Sequence, residues 1–264
     1  MSIFATLGLP VTEEEGGGGV EFPPIENVVE WPNIIDGIGF NKIALICLIA
    51  FAVPTALFLL SKKDMIPGKV QAFTEGSVEF IEEQVAKPGI GHGYEPYVPL
   101  LTSFFFFIAI GNLFEVIPFF QMPMNARMGP PLVFALTAWA MFISVGVKHN
   151  GLGYFKEVLF PPGVPKALYI LVTPIELLST FIVRPFSHAV RLFANMLAGH
   201  ILLITFGVLT ISTFELSLLL IPSIGSFGGL VAFTAFEVGV SFIQAFVFAI
   251  LAAVYIGGAK HPAH

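Results

Sequence analysis

Long apolar stretches separated by short polar segments make up most of the chain from residue 40 onward. The hydrocarbon core of a bilayer is about 30 Å thick, so an α-helix needs about 20 mainly apolar residues to cross it. The pattern predicts three spans of this size, followed by two longer helices. Their predicted bounds are 40–60, 97–117, 130–147, 167–218 and 226–257. We therefore expect an all-α polytopic membrane protein with about five crossings.

The stretch 167–218 is far longer than one upright span requires. It could form two spans joined by a tight turn, or one inclined helix. Pro174 and Pro185 could kink a helix here, but no polar turn divides the stretch. We therefore predict one long tilted helix, with the last helix, 226–257, also long and tilted. No internal repeat is evident in the chain.

Residues 69–86 show a different pattern, in which apolar and acidic positions occupy different sides of a helix. A helix of this kind lies along the membrane surface and does not cross it. We therefore predict one amphipathic surface helix in addition to the crossing helices. Its apolar side comprises Val70, Phe73, Ser77, Phe80, Ile81 and Val85, and its acidic side comprises Glu75, Glu79, Glu82 and Glu83.

The composition also excludes an ordinary soluble domain, because 56% of the residues are hydrophobic and only 11% are charged. About a quarter of the residues are charged in soluble domains. We expect residues 1–39, which are acidic and glycine-rich, to form an extracytoplasmic arm, and they lack the basic start of a signal peptide. Residues 40–258 are expected to form one membrane domain, and 259–264 a short tail.

The lysines predict the orientation of these helices, because cytoplasmic loops are enriched in Lys and Arg. With five crossings, the lysines that follow the first, third and last spans all fall on one side of the membrane. We therefore predict a multi-pass protein of the cell membrane with its N-terminus outside and its C-terminus in the cytoplasm. These lysines are Lys62, Lys63, Lys69, Lys87, Lys148, Lys156, Lys166 and Lys260.

Two arginines, Arg184 and Arg191, lie within the long helix and not in a loop. A cation at the depth of Arg191 is costly unless it has a partner or a water-filled cavity. At about 100° per residue, Arg191 shares one helix face with Arg184, His188 and Asn195. This polar stripe favours a functional role, and static pairing with a carbonyl or acid of a neighbouring helix is the alternative.

The last helix carries a second polar face, and its depth can be compared with that of the preceding antiparallel helix. Glu237 is predicted to lie level with His200, and a histidine and a glutamate at one depth are candidates for a proton relay. A static pair that locks the two helices together is the alternative. Glu176 and Glu115 are further candidate acids, although an acid near a helix end is often solvated. The second polar face comprises Glu237, Ser241, Gln244, Phe248 and Tyr255.

The segment from Arg184 to His200 resembles the signature of the membrane-embedded a subunit of F-type ATP synthases. In that family, an R-L-F-x-N-M-x-A-G run contains an essential arginine, and residues 191–199 read R-L-F-A-N-M-L-A-G. Residues 244–248 are similar to the family's Q-A-F-I-F, and residues 112–118 resemble its N-L-x-D/E-x-x-P. The order and spacing match over about 40–258, and the form of the first segment is most similar to actinobacterial members.

The resemblance implies a role for each matching residue. Arg191 matches the essential arginine, which faces a carboxylate of the rotating ring. Asn195, His200, Glu237 and Gln244 match positions that line the outer proton path, and some bacterial members have Glu and His exchanged at the positions of His200 and Glu237. Glu176 lies near the family's cytoplasmic-side acid, with one residue more before Pro185 than in some members. Further candidates are His188, Arg184, Glu115, Ser241 and Tyr255.

The resemblance also implies the mechanism and the partners. Two offset proton half-channels would meet a ring of c subunits, with b subunits of the peripheral stalk, the rest of the synthase and membrane lipid as neighbours. The chain itself would perform no covalent chemistry and bind no cofactor, metal or nucleic acid. The sequence has no G-x-x-x-x-G-K-[ST] loop, so no nucleotide site is expected. The alternatives are a secondary transporter and a structural membrane anchor.

Overall fold

The computed structural model describes residues 41–61, 68–117, 120–151, 153–160, 165, 168–215 and 220–260. The predicted arm, residues 1–39, lies outside this part of the chain. The regular elements of the described residues are all helical. They are α1 (Lys42–Leu60), α2 (Lys69–Ile81), α3 (Lys87–Ile90), α4 (Val98–Leu113), α5 (Gly129–Asn150), α6 (Gly153–Leu159), α7 (Tyr169–Leu178), α8 (Arg184–Glu215) and α9 (Leu220–Lys260).

Five helical runs within the described residues are long and apolar enough to cross a membrane, which confirms the predicted all-α polytopic fold. The first begins where the Asn41 side chain accepts a hydrogen bond from the Ala44 N–H, an N-cap that satisfies one unpaired helix donor. The runs are Lys42–Leu60, Glu95–Leu113, Gly129–Asn150, Tyr169–Thr213 and Ser223–Lys260.

The fourth run is one helix, as predicted, and no loop divides it between Tyr169 and Glu215. A π-turn at Ser179–Val183, in which hydrogen bonds close over five residues instead of four, joins α7 to α8. At 1.5 Å per residue, its 45 membrane-compatible residues extend about 68 Å. Because a bilayer core measures only about 30 Å, such a helix must be steeply inclined to stay within it.

Two of the stretches between the predicted spans are helical in part. Residues 219–225, between the last two predicted helices, are helical from Leu220 onward, and Pro222 falls in the first helical turn, where its missing N–H breaks no hydrogen bond. Residues 148–166, between the third and fourth predicted spans, contain α6. Tyr154 of α6 is 2% exposed and packs against Gly146, where a Cβ would overlap the Tyr154 ring. Burial of this ring stabilises the short helix.

The predicted surface helix is present as α2, a π-turn at Glu82–Ala86 and α3, and it is not among the membrane-compatible runs. Its apolar residues divide between two environments. Ile81 and Val85 are buried against the other helices, but Val70, Phe73 and Phe80 are exposed on the surface of the chain. The face toward the bundle also includes Gln71 and Thr74. Its position along the membrane surface remains a prediction.

The hydrophobic core lies around the C-terminal half of α9, which packs against α3, α4, α5 and α8. Small residues bring these helices close together. Ala249, Ala252 and Ala253 of α9 are at most 1% exposed, and a Cβ on Gly89 would lie 2.6 Å from the Ala253 Cβ. The close packing fixes the rotation of α9 and therefore the direction of its polar side chains.

Candidate functional site

Two contacts define the register of the antiparallel helices α8 and α9. The ring of His188 lies 4.0 Å from that of Phe248, measured between centroids. Eleven residues further along α8, Gly199 packs against Glu237, which precedes Phe248 by eleven residues. With this register, Arg191 lies level with residue 245, beside Gln244. His200 lies level with residue 236, beside Glu237, as the sequence predicted.

Three ionisable side chains come together near this level. Glu115, His200 and Glu237 are 4%, 3% and 3% exposed, respectively. His200 Nδ1 lies 3.7 Å from Glu115 Oε1, and the Glu115 and Glu237 carboxyl groups are close enough to interact electrostatically. Glu115 is therefore not a solvated acid at a helix end. We call these three residues the acid–histidine cluster.

Glu115 reaches the cluster because α4 ends before it. The sequence predicted a span to residue 117, but α4 ends at Leu113 and the Glu115 N–H donates to the Asn112 carbonyl in a turn. Asn125 donates a 2.7 Å hydrogen bond to Asn112, and both side chains are fully buried. This amide pair, which sequence reasoning missed, joins the following loop to the end of α4. Its only sequence signal is two Asn residues in apolar surroundings.

Glycine at position 199 makes room for one member of the cluster. A Cβ at this position would overlap the Glu237 carboxylate. The absence of a side chain therefore lets α8 approach α9 at the depth where the carboxylate lies. The same α9 face holds Ser241, 1% exposed, and Gln244, 9% exposed, so this part of the predicted polar face points into the chain.

Arg191 has a different environment from the cluster. Its side chain is exposed on the surface of the α8–α9 pair that faces away from the protein interior, together with Asn195 and the small residues Ala194 and Ala198. No acidic oxygen within the described residues lies within 4.0 Å of a nitrogen of Arg191. Static pairing with an acid of a neighbouring helix, one of the alternatives above, is therefore not found in this part of the chain.

The predicted polar stripe of α8 is divided between two environments. His188 is 4% exposed and lies on the side of α8 that faces α9. It packs beside Phe248, and the centroid of its ring is 5.8 Å from that of Tyr255. Arg184 is half-buried, with its guanidinium 5.6 Å from the centroid of the same Tyr255 ring, a cation–π geometry. Of the four residues of the stripe, only Arg191 and Asn195 are exposed on the surface of the chain.

Glu176 does not join the acid–histidine cluster. It lies half-buried on α7, fifteen residues before Arg191 and on the other side of the π-turn. His200 lies nine residues beyond Arg191 in the opposite direction. Along the helix run, Arg191 therefore separates Glu176 from the cluster.

A group of buried hydroxyls between α8 and α9 was also missed. Thr213 Oγ1 lies 3.3 Å from Ser226 Oγ, and Thr210 and Ser223 are buried nearby. The hydroxyls of Thr210, Thr213 and Ser226 each donate to a backbone carbonyl, as Thr210 does to that of Phe206. In the sequence, the only signal was that Thr210 and Thr213 lie three residues apart, as do Ser223 and Ser226.

This arrangement defines a class: an all-α, multi-pass membrane protein with buried acids and a histidine on one side of an outward-facing arginine. The family model described as ATP synthase A chain matches residues 43–257, and the chain belongs to this family. It is therefore a component of the membrane sector of an ATP synthase and takes part in proton transport and ATP synthesis.

Similar proteins are named ATP synthase subunit a and come mostly from actinobacteria. The one from Frankia alni is 38% identical, with 97% of this chain and 91% of the relative covered. The one from Pseudarthrobacter chlorophenolicus is 37% identical, with 97% of both covered. The one from Rhodococcus erythropolis is 39% identical, with 91% and 88% covered. The family assignment disfavours both the secondary transporter and the structural anchor.

Proposed function

We propose that the chain forms two proton half-channels against a ring of c subunits and couples proton flow to rotation of that ring. The acid–histidine cluster, with Asn195, Ser241 and Gln244, lines the outer half-channel. Glu176 belongs to the half-channel on the cytoplasmic side. Arg191 separates the two paths.

The proposal depends on one observation. Arg191 is exposed, and no acid of the described residues lies beside it. A cation on a membrane helix requires a counter-charge or water. A carboxylate on a partner that passes this surface would supply the counter-charge. The arginine would lower the pKa of that carboxyl and favour its ionised form. Because a guanidinium does not lose its proton in proteins, it would not relay protons between the two paths.

The acid–histidine cluster has the groups that proton transfer requires. Histidine and carboxylates exchange protons, and two acids beside one histidine offer several protonation states. Within the described residues, Glu115 Oε2, Glu237 Oε2 and Ser241 Oγ are buried without a hydrogen-bond partner. Buried polar atoms in proteins are normally satisfied by a partner or by ordered water. A hydrated proton path through the cluster accounts for these atoms.

The remaining parts of the proposal concern orientation and partners. The lysine distribution supports an orientation with the N-terminus outside and the C-terminus in the cytoplasm. Protons then enter near the cluster and leave near Glu176, and each charge that moves inward supplies about 2.3 kcal/mol per 100 mV. The ring of c subunits covers the surface of α8 and α9 on which Arg191 is exposed. The b subunits of the peripheral stalk hold the chain in the complete synthase.

The test is substitution of Arg191 in the assembled complex. Arg191→Ala is expected to abolish proton-driven ATP synthesis in membrane vesicles without loss of assembly. Arg191→Lys should also fail, because an ammonium lacks the planar donor fork and can lose its proton when desolvated. Arg184→Ala is the control, since Arg184 stacks on Tyr255 within the chain. Normal synthesis by Arg191→Ala vesicles would refute the proposal.

A further inference from the structure

The backbone carbonyl of Thr180, in the long helix run, is not paired by either of the two residues whose N–H groups would normally reach it. In the π-turn at Ser179–Val183, the Arg184 N–H donates to the Ser179 carbonyl, five residues back. The next residue would donate to Thr180 in the same register, but it is Pro185, which has no N–H. Thr180 is 0% exposed, so bulk water does not replace the missing donor.

A tryptophan from another helix fills this position. The indole Nε1–H of Trp139, on α5, donates to the Thr180 carbonyl over 3.2 Å. The same indole lies edge-on to the Phe181 ring, with 6.2 Å between centroids. A buried carbonyl without a partner is unfavourable, so this contact stabilises the π-turn against rearrangement.

The π-turn matters because it sets the rotation of α7 relative to α8. A π-turn takes up one residue more than an α-helical turn, and each residue of an α-helix corresponds to about 100°. Conversion of the π-turn to α-helix would therefore rotate Glu176, on α7, relative to Arg191, on α8.

We infer that Trp139 is a positioning residue for proton translocation, because its indole N–H holds the π-turn that orients Glu176 relative to Arg191. This inference rests on the proposed function, in which Glu176 belongs to one half-channel. In this role Trp139 acts through the Thr180 carbonyl.

The test compares Trp139→Phe with Phe181→Leu in the assembled synthase. Trp139→Phe removes the donor and keeps an aromatic ring, whereas Phe181→Leu removes the ring contact and keeps the donor. ATP synthesis per assembled complex is expected to fall about fivefold in Trp139→Phe, as loss of a hydrogen bond of ordinary strength predicts. It should stay within about twofold in Phe181→Leu. Equal effects of the two variants would overturn the inference.

Pro185→Ala provides the rescue. It supplies an N–H at residue 185, which pairs with the Thr180 carbonyl in the five-residue register of the π-turn, so in the Trp139→Phe background it should restore most of the lost synthesis. Failure of this second change to restore synthesis, in complexes that assemble, would contradict a role through that carbonyl. A merely structural role of the indole ring predicts no rescue by a change on another helix.

A labelling measurement separates this inference from the proposed function. In a Cys47→Ser background, the rate at which a membrane-impermeant thiol reagent modifies Glu176→Cys reports the rotation of α7. This rate should change about threefold or more with Trp139→Phe and return with Pro185→Ala, whether or not Arg191 is essential. An unchanged rate in Trp139→Phe would overturn the inference, whereas normal synthesis by Arg191→Ala would overturn only the proposed function.

Discussion

His200 Nδ1 lies 3.7 Å from Glu115 Oε1, across the gap between α8 and the turn that follows α4. Both side chains are almost completely buried. In such surroundings, each group's charge affects the protonation of the other strongly, because little solvent screens their interaction. The two groups, with Glu237, should therefore exchange protons as a coupled unit and not as independent sites.

The coupling can be measured with a double-mutant cycle. Glu115→Gln and His200→Ala should each slow proton uptake into vesicles about tenfold or more, because each removes one proton-accepting group. If the groups act together, the double variant should be less impaired than the product of the two single effects, by a factor of about three or more. Proton uptake, driven by an imposed potential and normalised to assembled complex, is the measurement.

The alternative of a static pair gives a different result in the same experiment. It predicts reduced assembly or stability, with normal proton conduction by the complexes that survive. Independent effects of the two substitutions would instead show that the residues do not work as a unit.

Gly199 offers a test that removes no ionisable group. In Gly199→Ala, the added Cβ would overlap the Glu237 carboxylate, so the carboxylate or the helix must shift. Proton uptake should fall at least about tenfold, because a displacement of about 1 Å at a reacting group can cost a hundredfold. Gly207→Ala is the matched control, since nothing lies within 4 Å of a Cβ there. Equal uptake by the two variants would contradict the importance of this contact.

Gly257 tests the packing of the surface helix on α9. Its added Cβ would overlap the Gly89 carbonyl oxygen and lie 3.0 Å from the Ile90 Cα. Because backbone atoms cannot move aside easily, Gly257→Ala should destabilise the fold by about 1–3 kcal/mol. The thermal midpoint of the purified complex in detergent is the measurement. Gly258→Ala should leave that midpoint unchanged or slightly higher, since a Cβ at residue 258 meets no atom within 4 Å.

The surface helix also makes a topological prediction. Thiol labels at Glu75→Cys and Glu83→Cys, in a Cys47→Ser background, should react from the same side of the membrane because the helix does not cross it. Both side chains are exposed on the chain. Gly129→Cys, at the exposed start of α5, should react from the opposite side. Reaction of the two glutamate positions from opposite sides would instead give the chain an additional crossing.

Local pattern predicted most elements, because the length of an apolar stretch decides whether a helix can span a bilayer. The first, third and fourth spans agree with the helices to within a few residues. The absence of a polar turn predicted one helix over 167–218, and the helix runs from Tyr169 to Glu215. Packing of the helices against one another decided the remaining features. Burial of Tyr154 stabilises α6, and contact with the other helices selects which apolar residues of α2 are covered by the chain itself.

The sequence by itself determined the class of protein and predicted that His200 and Glu237 lie level on α8 and α9. The class follows from the lengths of the apolar stretches and from the motif around Arg191, and the level of the two residues follows from counting along two antiparallel helices. Only the tertiary structure decided that Glu115 meets His200, that Arg191 faces outward while His188 is buried, and that Trp139 reaches the Thr180 carbonyl. Residues 115 and 200 come together because the packing of whole helices sets the rotation of each one, and no local pattern contains that information.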